Sequence, residues 1–236
     1  MTRQKVAVVT GGAQGIGKAI CDAFAEQGVV VCSIDLQGDG YYVGDIADEN
    51  VLRSFAAKVI AEYGEVDYLV NNACLSKGGL NSCSYEDFNY VLRVGVAAPF
   101  LLSQLFMAHF SAGASIVNIS STREQMSQAD TESYSAAKGG IGSLTHAMAM
   151  TLRGKVRVNA VSPGWIDTSG THFTGADASQ HPVGRVGNPA DIVNTVMFLC
   201  DPKSSFITGQ DITVDGGMSK QMIYHDDHGW SYSRNE

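Results

Sequence analysis

The chain has 236 residues, 44% hydrophobic and 17% charged, enough for one well-buried core. Its net charge of −8 argues against nucleic acid as a partner, because binding a phosphate backbone needs a basic patch. No apolar run approaches the roughly 20 residues that span a bilayer. The first apolar stretch is too short for a signal-peptide core, and five scattered cysteines read as reduced thiols of a cytoplasmic protein.

VAVVT (6–10) is the first predicted strand, a continuous apolar run of the kind buried on both sheet faces. TGGAQGIG, Thr10 to Gly17, follows it and opens a helix predicted over 15–28. Glycines there allow a tight turn and close approach to a pyrophosphate, whose charge the helix N-terminus favours. An ordinary tight turn is the alternative. A second strand, 29–35, ends at Asp35, whose carboxylate can accept from both hydroxyls of an adenosine ribose and repel a 2′-phosphate. No Lys or Arg follows in DLQGDG, which favours NAD over NADP. Turn capping by Asp35 is the competing role. A further short extended piece leads to Asp45 and Ile46, which can flank an adenine. Asp48 reads as the N-cap of a helix over 48–63.

A strand over 66–72 precedes a long predicted helix over 85–111 that contains Gly95 and Pro99, both helix-weakening. The next strand, 114–120, leads to Ser120 and Ser121. A helix over 132–153 then carries Tyr134 and Lys138 four residues apart, on one face. A phenol ionises near pH 10. A neighbouring ammonium and an oxidised nicotinamide would both favour the phenolate. Ser–Tyr–Lys thus suits proton transfer to or from an alcohol oxygen. A strand over 156–162, a polar loop over 168–184, a helix over 189–200 and a strand over 211–215 complete the pattern. Alternating strands and helices argue for one doubly wound α/β domain over 1–220, with a tail over 221–236. Ligands of such sheets bind beyond the carboxyl ends of the strands.

Together these motifs resemble the short-chain dehydrogenase/reductase family nearly end to end. TGGAQGIG is similar to its TGxxxGxG turn, NNAC (71–74) to its NNAG, and YSAAK to its YxxxK. Ser121 stands where the catalytic serine is expected. NAVSPGWIDT (159–168), GRVGNPADI (184–192) and ITGQDITVDGG (207–217) resemble later family segments. The resemblance implies a nicotinamide-dependent oxidoreductase with a seven-stranded parallel Rossmann sheet, as a homodimer or homotetramer. By position, Gly11, Gln14, Gly15, Ile16 and Gly17 would hold the pyrophosphate, Asp35 the ribose, and Asp45 and Ile46 the adenine. Asn72, Ala73 and Cys74 would line the middle, with Ile166 and Thr168 at the carboxamide. Tyr134 would be the acid/base, Lys138 would bind the nicotinamide ribose and lower the Tyr134 pKa, and Ser121 would orient the substrate. Two positions depart from the pattern. Cys74 replaces a glycine, as a small buried residue or as a thiol facing the cofactor. Gly95 occupies the slot of an asparagine that kinks the helix and holds a water linked to the lysine. Either the Gly95 carbonyl, freed by Pro99, holds that water, or the pair shapes a packed or subunit-interface helix.

The leading expectation is therefore a cytoplasmic NAD(P)-dependent enzyme acting on a small alcohol or ketone. The alternatives are a cofactor-binding protein with little catalysis, or another reaction, such as epimerisation, on the same scaffold. The loop over 168–184 is expected to cover the substrate, with His172 and His181 either as solvent-exposed loop histidines or in contact with substrate. All-round apolarity in 85–111 and 132–153 suggests subunit contacts. In the tail, Met222, Ile223, Tyr224 and Trp230 are candidates to dock on a pocket edge or a neighbouring subunit. His225, Asp226, Asp227 and His228 read as a solvated polar turn, and no metal is expected.

Overall fold

Val6 and Val8 of β1 (Val6–Thr10) join one buried cluster, while Ala7 and Val9 join another. A strand that buries both rows of side chains needs cover on both faces. The computed structural model describes residues 3–38, 40–227 and 231. Its further strands are β2 (Val30–Asp35), β3 (Tyr42–Val43), β4 (Val66–Asn71), β5 (Phe110–Ile119), β6 (Val156–Pro163) and β7 (Asp211–Val214). They form one seven-stranded sheet of order β3-β2-β1-β4-β5-β6-β7, with every pair parallel. Chain order reverses between β1 and β4, opening a crevice at their carboxyl ends.

Ile20 and Phe24 of α1 (Gly15–Glu26) cover one face, with Ile192, Val196 and Leu199 of α7 (Pro189–Cys200). Phe55 of α2 (Glu49–Tyr63), Phe106 of α4 (Ala98–Phe106) and Met148 of α5 (Glu132–Thr151) lie in the cluster on the other. Truncating a fully buried phenylalanine such as Phe55 or Phe106 costs about 3–5 kcal/mol. The two remaining α-helices among the described residues are α3 (Tyr85–Leu92) and the short α6 (Ala176–Ser179).

The helix expected over 85–111 is not continuous. It runs as α3, a π turn over Arg93–Ala97, and α4, and Phe110 already begins β5. Pro99 falls in the first turn of α4, where its missing N–H costs little. The Ala98 N–H reaches back to the Arg93 carbonyl, closing the wider turn. A Cβ on Gly95 would stand 2.8 Å from the Ala137 Cβ, so glycine lets the π turn press against α5. Of the two roles open to Gly95 and Pro99 in the sequence, the packing role thus has a direct structural basis.

Candidate active site

The chain leaves β1 through Gly11 at φ +69°. A Cβ on Gly17 would lie 1.9 Å from the Gly11 carbonyl oxygen, so this crossing admits only glycine. The end of β4 braces the turn. Asn72 Nδ2 donates to the Thr10 and Gly11 carbonyls at 3.0 and 3.1 Å. Thr10 Oγ1 accepts the Asn72 and Ala73 N–H groups at 3.0 and 3.1 Å.

Helix α1 starts here without a side-chain cap, because Gln14 makes no capping bond. By contrast α2, α3 and α7 are capped by Asp48, Ser84 and Asn188. The first-turn N–H groups of α1 therefore keep no side-chain acceptor, the arrangement that favours an anion. A groove of about 490 Å³ opens over them. It is lined by Gly11, Gln14, Gly15, Ile16, Gly17, Asp35, Asp45, Ile46, Asn72, Ala73, Cys74 and Thr168. Of the residues expected at a cofactor, Tyr134, Lys138 and Ile166 lie outside this wall. Leu36, Gln37, Gly44, Leu75, Tyr90 and Val94 also line the groove, and the sequence reading missed them.

Asp35 has a capping role as well. Its two oxygens accept the Ala13 N–H at 3.0 Å and the Gln37 N–H at 3.2 Å. A carboxylate has lone pairs beyond these two bonds. Asp45 accepts the Ala47 N–H at 2.8 Å and the Tyr90 hydroxyl at 3.0 Å. Asp35 and Asp45 are the only charged side chains among the described residues lining the groove.

A second cavity, of about 860 Å³, holds Ser121, Tyr134, Trp165 and Ile166. Ser121 is buried at the end of β5 and its Oγ accepts the Arg123 N–H at 3.1 Å. Tyr134 stands in the first turn of α5 and lines this cavity with Ser121, while Cys74 lines the neighbouring groove. Burial pushes this phenol above its usual range and Cys74 pushes it further, while Ser121 and Arg123 pull it back. Lys138 is buried one turn along α5. Its Nζ lies 5.4 Å from the Tyr134 ring centre and donates to the Ile119 carbonyl at 2.6 Å.

The loop over 168–184 contains α6. His172 is exposed, as expected, but His181 is only 2% exposed. Its ring lies 6.2 Å from Trp165, its Nδ1 is 3.0 Å from the Asp177 carbonyl, and the Gly216 turn packs beside it. The expectation of a solvated loop histidine fails here because distant strand ends close over the ring. In the tail, Gln221 and Ile223 line the second cavity, while Met222 and Tyr224 are exposed. His228 and Trp230 lie outside the described residues. Among the described residues no three His, Cys, Asp or Glu side chains gather as a metal site.

A parallel sheet with a glycine turn at its first crossover defines a Rossmann fold, here with serine, tyrosine and lysine at the same edge. Residues 11–219 match the family model described as Enoyl-(Acyl carrier protein) reductase, and the chain belongs to the short-chain dehydrogenase/reductase family, which binds NAD(P). An uncharacterized oxidoreductase of Thermotoga maritima is 42% identical over 256 residues, covering 96% of this chain and 100% of its own. A 3-oxoacyl-(acyl-carrier-protein) reductase of the same organism is 32% identical over 239 residues, covering 91% and 97%. The solved structure of an apo SCOR enzyme from Clostridium thermocellum is 44% identical with a TM-score of 0.91, covering 99% and 100%.

Proposed function

We propose that this oxidoreductase moves a hydride between NAD and a small alcohol or ketone, with Tyr134 as the acid/base. The observation that carries the reading is that Ser121 and Tyr134 line one cavity, with buried Lys138 one helical turn beyond and its Nζ 5.4 Å from the Tyr134 ring centre. In the oxidative direction Tyr134 takes the proton of a substrate hydroxyl that Ser121 also holds. In the reductive direction it returns that proton to the carbonyl oxygen. Lys138 holds the nicotinamide ribose and favours the phenolate. The nicotinamide, when bound, accepts or supplies the hydride.

The uncapped N-terminus of α1 and the glycine crossing fit a pyrophosphate held by Gly11, Gln14, Gly15, Ile16 and Gly17. Asp35 takes the adenosine ribose, Asp45 and Ile46 flank the adenine, and Asn72, Ala73 and Cys74 line the middle. Ile166 and Thr168 meet the carboxamide end. Two carboxylates and no Lys or Arg among the described groove residues disfavour a 2′-phosphate, hence NAD over NADP. The relative named as a 3-oxoacyl reductase acts on a ketone, in keeping with C=O or CH–OH chemistry. We further propose a cytoplasmic homo-oligomer; no helix among the described residues is long and apolar enough to cross a membrane.

The test is a panel of alcohols and ketones with NAD(H) and NADP(H), beside Tyr134→Phe. Turnover with NAD(H), reduced by at least ~100-fold in the variant, is expected. Turnover that survives Tyr134→Phe rejects the mechanism, and NADH binding without turnover across the panel favours a cofactor-binding protein instead.

A further inference from the structure

We propose that Arg123 is a specificity residue that seats a carboxylate, so that the substrate is a secondary alcohol or ketone carrying an acid group on an apolar body. The inference rests on the catalytic reading above and narrows its substrate class.

Arg123 is the one charged side chain among the described residues lining the cavity that holds Ser121 and Tyr134. It is half-buried, and its guanidinium donates to the neutral Gln128 amide oxygen. Arg3, Arg53, Arg93 and Arg185 pair with carboxylates, and Arg157, which does not, donates to the Asp201 backbone carbonyl outside this cavity. In a chain with 24 acidic and 16 basic residues, a guanidinium kept clear of carboxylates inside a cavity needs an explanation. A substrate acid supplies one. The guanidinium fork matches a carboxylate in two parallel hydrogen bonds, and partial burial strengthens them.

The position also fits. Arg123 follows Ser121 by two residues and its N–H is bonded to the Ser121 Oγ. A substrate oxygen placed at Ser121 and Tyr134 then shares one cavity with the Arg123 side chain. Met126, Trp165, Ile166, Met218 and Ile223 supply apolar wall for the body between them. The bland alternative is that Arg123 only ties the segment to Gln128. That role would affect acidic and neutral ligands alike.

The test uses non-reacting probes, so it does not depend on turnover. Butyrate, cyclohexanecarboxylate and benzoate, each beside its own amide, are titrated into the full chain with NADH, and affinity is read by calorimetry. At least one acid is expected to bind about 10-fold or more tightly than its amide. Arg123→Met should weaken that acid by about 10- to 100-fold and its amide by less than about 3-fold. Arg123→Lys should recover part of the preference, and it keeps the test alive if the methionine variant fails to fold. Equal binding of every acid and its amide, or no binding of any acid, overturns the proposal. So does a loss in Arg123→Met that is the same for both. Turnover surviving Tyr134→Phe would instead reject the catalytic reading and leave these affinities standing, so the two failures are separable.

Discussion

Cys74 stands where the resemblance implies a glycine, and it acts on the Tyr134 phenol. After burial it is the main influence holding the phenol proton on. Of the two roles open to Cys74 in the sequence, that of a small buried residue does not hold, since Cys74 is exposed and lines the groove. A consequence follows for the pH dependence of activity. Alcohol oxidation needs the phenolate, and a raised pKa moves that form to higher pH. Removing the thiol in Cys74→Ala lowers the phenol pKa. The rising limb of kcat/KM for oxidation should therefore shift to lower pH. In the reductive direction, which needs the phenol, activity should begin to fall at lower pH than in the parent. Superimposable profiles would show that Cys74 does not act on Tyr134.

The break between α3 and α4 raises the matching question for an element. The sequence announces a disturbance through Gly95 and Pro99, but not its form. A proline in that position suits a kink in one helix or the first turn of a new one. What decides is the long-range approach of Gly95 to Ala137, which no local pattern reveals. Gly95→Asn, which places the residue implied by the resemblance at this position, should therefore destabilise. Its Cβ collides with a methyl on a neighbouring helix that cannot rotate away. Such overpacking costs about 1–3 kcal/mol, a fall in Tm of roughly 3–10 °C for a chain of this size. Thermal unfolding and kcat measured together separate the two roles of the glycine. Unchanged Tm with a higher kcat would mean that the slot is vacant and a proton relay is impaired without it. The same long-range logic explains what else was hidden. The strand, turn and helix at 6–26 are legible because their glycines act on neighbours in sequence. Tyr90 and Val94 line the groove from a helix distant in sequence from the glycine turn. His181 reads as a loop residue until Trp165 and Gly216 close around it. Arg123 belongs to no motif, and its interest comes from a cavity whose other walls lie far away in sequence.

For the whole molecule, the outer surface of α3, α4 and α5 remains to be explained. A groove of about 650 Å³ runs along it, lined by Tyr85, Leu92, Val96, Phe100, Ala136 and Leu144. Phe100 is 50% exposed, and Tyr85 more so. Gly140 lets Val96 lie close against α5, so the two elements present one continuous surface. The charged residues on this wall, Glu86 and Arg93, pair with each other and leave it neutral. Two copies that each carry a charge of −8 repel over distance, but physiological salt screens this beyond about 8 Å. A neutral apolar face is then where close approach is least opposed, and a second copy of the same face is its natural cover. Phe198 and the fully exposed Phe206 offer a separate patch, near the end of α7 and the turn into β7, for assembly beyond a dimer. The chain should therefore show at least twice its 25.1 kDa mass by light scattering at micromolar concentration. Phe100→Asp should reduce that mass by half, whereas Phe206→Ser should do so only if a tetramer forms. Because α5 carries both Tyr134 and Lys138, dissociation through Phe100→Asp should also lower kcat, with recovery at higher protein concentration. A monomeric parent at micromolar concentration would refute the assembly, and the exposed Phe100 would then need another cover.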